Sequence, residues 1–251
     1  MKRAAISIIF TLVYLFTIAQ DLSHVSDYDA VQKIYIAELK KPTEASEDNL
    51  ISNSNFNLRD NDGNSYDVVK IGSQFWMAEN LKVVKFNDGT RIPLVSDYKI
   101  WSNLLSPGYC WYNNDAEGYE SDYGALYNGY SVSTDKLCPL GWHVPSVEEW
   151  MILTDYVGEK IAGEKLKEIG TQNWISPNAG ATNESGFTAR PGGSRGNLGS
   201  FFDEGLRGHW WSSTEYNDIY VWNRSMGFSF SNVAGSSDNK KSGLSVRCVK
   251  D

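Results

Sequence analysis

Cys138-Pro139-Leu140-Gly141-Trp142-His143-Val144-Pro145-Ser146 leads into the best-marked helix of the chain. Ser146 can accept a bond from a first-turn N–H while Glu149 reaches back, a capping box of the Ser-x-x-Glu form. Val147, Trp150, Met151 and Val157 then supply an apolar face, so a helix packed on a core is expected after Pro145. His143, just ahead of it, is expected to be a hydrogen-bonded structural histidine rather than a base. A second short helix is predicted over Ile161–Ile169, stopped by Gly170.

Upstream, Asp62-Gly63 sits between strand-like flanks, and Val68-Val69-Lys70-Ile71 meets Gly72-Ser73 before Gln74-Phe75-Trp76-Met77, which predicts two linked hairpins. The Asp60-x-Asp62-Gly63 spacing is half of a calcium loop, but Ile71 stands where the bidentate glutamate belongs, so a plain turn is expected. Asn87-Asp88-Gly89-Thr90 marks another turn, and Tyr98–Leu105 reads as a short helix or an extended edge. Downstream, the glycine-rich run from Gly180 to Gly208 predicts loops. Trp210–Ser213, Val221–Phe230 and Leu244–Val249 alternate well enough for strands. The fold class that follows is α+β, with loops pinned by aromatic side chains drawn from nine Trp, fourteen Tyr and ten Phe.

Further out, Lys2 and Arg3 precede an apolar run from Ala4 to Ala19, the pattern of a signal peptide over residues 1–19 with the mature chain starting at Gln20. The rival reading, a retained anchor, has about 16 apolar residues where a span takes about 20. No cysteine follows the run, so no lipoprotein acylation site is expected. Residues 20–57 read as a polar linker or arm, in which Val31, Ile34, Tyr35 and Glu38 have the spacing of a short helix. Residues 58–251 form the expected domain. The formal charge of −8 becomes −10 once Lys2 and Arg3 leave, and an acidic surface without a basic cluster disfavours nucleic acid and anionic lipid. No membrane insertion is expected after cleavage.

Three cysteines, Cys110, Cys138 and Cys248, would enter a compartment where disulfides persist. Joining Cys138 to Cys248 closes a 110-residue loop, worth about 4–5 kcal/mol in the chain-entropy description, and that pair is expected. Cys110, inside Tyr109-Cys110-Trp111-Tyr112, is expected to be a buried apolar residue.

Several strings resemble one family: Val69–Leu81, Cys138–Ser146, Gly186-Phe187-x-Ala189-x-Pro191-Gly192-Gly193, Trp210–Glu215 and Ser245-Val246-Arg247-Cys248-Val249. In this order they are similar to the Fibrobacter succinogenes major paralogous domain. The resemblance implies an exported bacterial domain with a C-type-lectin-like fold of short strands, two or so helices and long ordered loops, more distantly related to the formylglycine-generating enzyme fold. It supplies no reaction. A disulfide near the C-terminal strand is usual in such folds, in agreement with Cys138–Cys248. Many members of that family carry a further cysteine soon after the position of Cys110, where this chain has Tyr119, Glu120 and Ser121.

Calcium-dependent sugar-binding lectins use a Glu-Pro-Asn loop and a Trp-Asn-Asp triplet to build an oxygen shell. Here Trp222-Asn223-Arg224 puts a cation at the ligand position, so no metal or other cofactor is expected, with calcium the one residual candidate. Trp210, Trp211 and Trp222, beside Glu215, Asn217, Asp218 and Asn223, are the candidate ligand site: aromatic faces for sugar C–H surfaces, amides and acids for hydroxyls. Core packing is the competing role for each tryptophan. No catalytic residues are expected. His24 falls in the linker, no nucleophile elbow or phosphate loop is present, and a disulfide would consume the thiol that a copper-dependent oxidation requires. The expected function is an exported, non-catalytic recognition module, secreted, periplasmic or at the cell surface, for a glycan or protein partner. A structural or adhesive envelope component is the alternative, and an enzyme on a formylglycine-generating-like scaffold a third class.

Overall fold

The computed structural model describes residues 58–251, so the expectations for residues 1–19 and 20–57 lie outside the described residues. β1 (Leu58–Arg59) and β2 (Ser65–Tyr66) form the first hairpin. Its turn is closed by the Asp60 carboxylate, which accepts from the Asp62 and Asn64 N–H groups at 2.9 Å and from the Tyr66 hydroxyl at 2.7 Å. Asp62 Oδ2 accepts from Val84 N–H at 2.7 Å, and its Oδ1 pairs with Lys85. Both carboxylates thus serve the turn and its neighbours, as the plain-turn expectation has it.

β3 (Val68–Ile71) and β4 (Gln74–Met77) form the second expected hairpin about Gly72-Ser73. α1 (Tyr98–Asn103) is capped by Asp97, whose carboxylate accepts from Lys99 and Ile100 N–H. β5 (Tyr109–Cys110), α2 (Ala116–Tyr123), β6 (Leu126–Asn128), α3 (Gly129–Val132) and β7 (Trp142–His143) follow. α4 (Val147–Val157) carries the capping box, with Glu149 N–H donating to Ser146 Oγ at 3.2 Å and Ser146 N–H to Glu149 Oε2 at 2.8 Å. α5 (Ala162–Leu166) is the second expected helix, shortened because Lys167 turns to extended backbone. Among the described residues five α-helices stand where two or so were expected; α2 escapes a periodicity search because Tyr123 is its one buried residue.

The glycine-rich run is not all loop. It holds β8 (Gly192–Arg195) and β9 (Phe201–Glu204), and β8 is an interior strand. Glycine here serves close approach: a Cβ on Gly193, at φ +63°, would come within 2.4 Å of the Phe202 carbonyl. β10 (Arg207–Glu215) and β11 (Tyr220–Gly227) form the long hairpin, followed by β12 (Ala234–Asn239), which no alternation announced. The expected strand over Leu244–Val249 divides into β13 (Gly243–Leu244) and β14 (Val249–Lys250).

The large sheet has the order β12-β11-β10-β8-β13-β6-β5, with β9 attached to β8, and a four-stranded sheet has the order β3-β4-β14-β7. The fold is α+β, mostly sheet with a few short helices. One core packs Trp76, Trp150, Phe187 and Trp210, with Trp76 and Trp150 centroids 5.0 Å apart. A second surrounds the disulfide between Cys138 and Cys248 with Met77, Leu81, Trp211 and Val246. Cys110 is buried in a third beside Trp101 and Tyr112, and burial pushes its thiol up to about 12. Lys167 is also buried, and its ammonium donates to the carbonyls of Ala179, Gly227 and Phe230 at 3.0, 3.2 and 3.1 Å. Among the described residues no helix is long and apolar enough to cross a membrane.

Candidate functional site

The tryptophans expected to present a ligand platform do not lie together on the surface. Trp210 and Trp211 are fully buried and point to opposite sides of β10, Trp210 into the Trp76 core and Trp211 into the disulfide core. Neither can offer a face to a sugar, because both rings are fully enclosed by the cores they pack into; the core role prevails for both. Asn223 is buried and donates to Asp238 Oδ2 at 2.9 Å. Glu215 accepts from Lys240 at 2.7 Å and from Ser133 at 2.9 Å, and Asn217 closes the hairpin turn by accepting from Ile219 and Tyr220 N–H. Trp222 is half-buried, edge-on to Tyr216 at 5.3 Å, and Tyr216 and Ile219 are more than half exposed. What survives of the expected site is this apolar hairpin tip.

His143 has both ring nitrogens engaged: Nε2 lies 2.8 Å from Glu149 Oε1 and Nδ1 2.6 Å from Asp251 Oδ1. The Glu149 bond, against partial burial and aided by Asp251, raises its pKa to about 9, so the ring is an imidazolium clamp. This is the structural role expected of it. His209 is bonded to Asp203 at 3.0 Å.

A different site is assembled around Asn80. The residue follows β4, is buried, and is fixed by its own Nδ2 donating to the Tyr123 carbonyl at 2.8 Å. Its Oδ1 accepts from Trp210 Nε1 at 2.8 Å and from Arg247 Nη2 at 2.9 Å and Nε at 3.2 Å. Arg247, between β13 and β14, is likewise buried; it lies 4.1 Å over the Phe187 ring and donates to the carbonyls of Phe187 and Thr188. All its direct acceptors are neutral oxygens, and burial lowers its pKa to about 9, with the charge of Glu79 acting the other way. Thr188 reaches it from φ +54°, a left-handed conformation that a β-branched residue adopts at a cost, held by its N–H donating to Asn183 Oδ1 at 2.8 Å.

Arg247 and Asn80 form the floor of a cleft of about 330 Å³. One wall is Asp67, Glu79 and Lys82; the other is Ser121, Asp122 and Arg190. Arg190 bridges Asp122 at 2.7 Å and Glu168 at 2.8 Å, which fixes that wall, whereas Lys82 has no carboxylate partner among the described residues and lies over the Tyr66 ring. Charges of both signs, amide and hydroxyl groups thus face one space. Neither histidine nor cysteine lines it. Among the described residues no cluster of three His, Cys, Asp or Glu side chains is arranged to hold a metal ion.

Asn80, Thr188 and Arg247 come from three of the strings Val69–Leu81, Gly186–Gly193 and Ser245–Val249, which meet here with Trp210. Residues 69–250 match the Fibrobacter succinogenes major domain. The chain belongs to that family. No curated protein and no solved structure matches it. Within this Fibrobacter succinogenes major domain, sequence reading missed Asn80, Arg190 and Arg247. The usable signal was Arg247 inside the largely apolar Leu244–Val249, since a polar group in such a run is either exposed or engaged in a buried network; Asn80, between Glu79 and Lys82, gave none.

Proposed function

We propose that the domain is a non-catalytic recognition module that binds a neutral glycan in the Asn80–Arg247 cleft. The observation that carries the reading is the composition of the walls. Carboxylates of Asp67, Glu79 and Asp122 stand with the cations Lys82 and Arg190 around one space, so a hydroxyl entering it meets both acceptors and donors. With Arg247 on the floor, three cations stand against three carboxylates, which favours an uncharged polyol over an ion. A floor of buried, mutually bonded groups is preorganised and loses little on binding. The Asp122 carboxylate is tied to Arg190 and neither histidine nor cysteine lines the cleft, which supports binding rather than turnover.

The finer fold reading is C-type-lectin-like, supported by the disulfide that ties Cys138 to the segment entering the last strand. Export to the envelope or beyond is supported by that same covalent bond and by the Lys2-Arg3 and apolar leader pattern. A glycan array probed with the full chain, with calcium and with chelator, tests the reading. A hit should weaken at least tenfold in Arg190→Ala and in Asp122→Asn but not in Tyr216→Ala. Silence of the array in both conditions, or a hit indifferent to the cleft substitutions, overturns it.

A second reading, a structural or adhesive envelope component, is favoured by the exposed Tyr216 and Ile219 at the β10–β11 tip. It gains if Tyr216→Ala with Ile219→Ala abolishes attachment to envelope fragments while the cleft variants attach normally.

A further inference from the structure

β12 pairs with β11 along six residues and has no strand on its other side among the described residues. An edge of this kind exposes a row of backbone donors and acceptors, and soluble proteins blunt it with Lys, Pro, bulges or extreme shortness. The other edges here are managed. β5 has two residues and is covered by the chain at Pro93–Val95, with Val95 N–H donating to Tyr109 O and Tyr109 N–H to Pro93 O. β3 carries Lys70, β9 ends in Asp203-Glu204, and β7 has two residues. β12 is Ala-Gly-Ser-Ser-Asp-Asn, pairs without a bulge, and has no cation and no proline. The one charge within the strand, Asp238, accepts from Asn223 on the neighbouring strand, and the two lysines that follow are engaged elsewhere, Lys240 with Glu215 and Lys241 with the Ser102 carbonyl, while Ala234, Gly235 and Ser236 are exposed.

We infer that β12 is a pairing edge through which two copies of this chain join their large sheets antiparallel about a two-fold axis. A two-fold axis normal to a sheet keeps each side chain on its own face, so facing residues must have the same parity. Two central registers satisfy this. With Ser236 opposite itself, Asp238 of one protomer faces Ala234 of its partner; with Ser237 opposite itself, Asp238 faces Ser236. Neither sets like charges opposite, and both bring serines together across the strands. The strand is therefore self-complementary, which a second copy always satisfies and an arbitrary peptide need not.

Ile219 and Tyr220 stand beside the Asn239 end of β12, where Lys240 N–H donates to Ile219 O, and Phe230 precedes its Ala234 end; these side chains are 56, 39 and 51 % exposed. Antiparallel joining sets the Asn239 end of one β12 against the Ala234 end of the other, with Ile219 and Tyr220 one strand behind the seam. Six paired residues fall under the roughly 1,200 Å² of a stable interface, so the dimer is a weak one.

Sedimentation of the full chain between about 1 µM and 1 mM tests this over that range. The expected result is a monomer at the low end and a dimer at the high end for the native chain, and a monomer throughout for Ser236→Lys with Ser237→Lys, at an unchanged melting temperature. Gly235 is left alone because a side chain there would meet Arg224 Nη1. As a check independent of the lysine variant's folding, Ser236→Cys and Ser237→Cys are oxidised at high concentration. A covalent dimer from either supports the pairing and reports its register, Cys110 being buried. A native chain that stays monomeric, a dimer that survives the lysines, or failure of both cysteine variants to cross-link overturns it.

Discussion

Arg247 Nη2 and Asn80 Oδ1 meet at 2.9 Å inside the domain although 167 residues separate them. The contact joins the end of the first large hairpin to the last strand connection, and Trp210 Nε1 shares the same oxygen. Asn80→Leu therefore takes two bonds from a buried guanidinium and the acceptor from a buried indole N–H at once. The expected loss is about 3–5 kcal/mol, seen in urea unfolding. Arg247→Met should cost less, because it removes the charge along with its donors and leaves Asn80 bonded to Trp210. The reverse order of the two losses would show that the carbonyl is not the shared keystone.

Thr188 delivers its carbonyl to Arg247 from φ +54°. Glycine adopts that conformation freely but forfeits the Asn183 Nδ2 bond to Thr188 Oγ1 at 3.0 Å, so Thr188→Gly should change stability by less than about 1 kcal/mol. Thr188→Val keeps the unfavourable backbone and loses the bond, for a destabilisation of about 1–2 kcal/mol. Equal effects from both would remove the strain argument.

Cys138–Cys248 closes most of the domain. Replacing both by alanine should cost about 4–5 kcal/mol and lower the melting temperature by roughly 10–20 °C. Thiol titration offers a direct readout: no rapidly reacting thiol in the native oxidised chain, one after denaturation, three after denaturation with reduction. Cys110 stays silent at first because it is buried and its thiol is held up at about 12.

His143 sets a pH dependence. Its pKa rises from 6.5 to about 9 on folding, chiefly through Glu149, so the folded state holds the proton more tightly than the unfolded chain. The resulting stabilisation is full below about 6.5 and disappears as pH climbs through 9. Its size is modest because the ring is 41 % exposed and solvent screens the contact. Melting temperature should fall between pH 6.5 and 9.5 in the native chain and fall less in His143→Gln. Identical profiles would detach the effect from this ring.

Local chemistry was legible in the sequence: the Ser146–Glu149 box, the Gly72-Ser73 hairpin and the distant cysteine pair all depend on signals within a few residues or on covalent chemistry. β8 was hidden because its glycines serve close backbone approach, and composition alone cannot tell that from a loop. β12 was hidden because an edge strand of small polar residues buries no alternating face. The cleft was hidden for a third reason: its parts converge from separate strings, so only the tertiary fold reveals that Asn80 and Arg247 are partners. Trp210 and Trp211 drew attention as a dipeptide, yet alternation sends adjacent strand residues to opposite faces.

Lys167 has a consequence for the surroundings the protein can tolerate. With its ammonium bonded to carbonyls at Ala179, Gly227 and Phe230, the chain supplies from its own covalent structure the cation that gathers those loops. A tethered cation cannot be stripped by a chelator or diluted away. The shape of these loops is accordingly indifferent to the mineral content of the medium, whatever that content does elsewhere on the molecule.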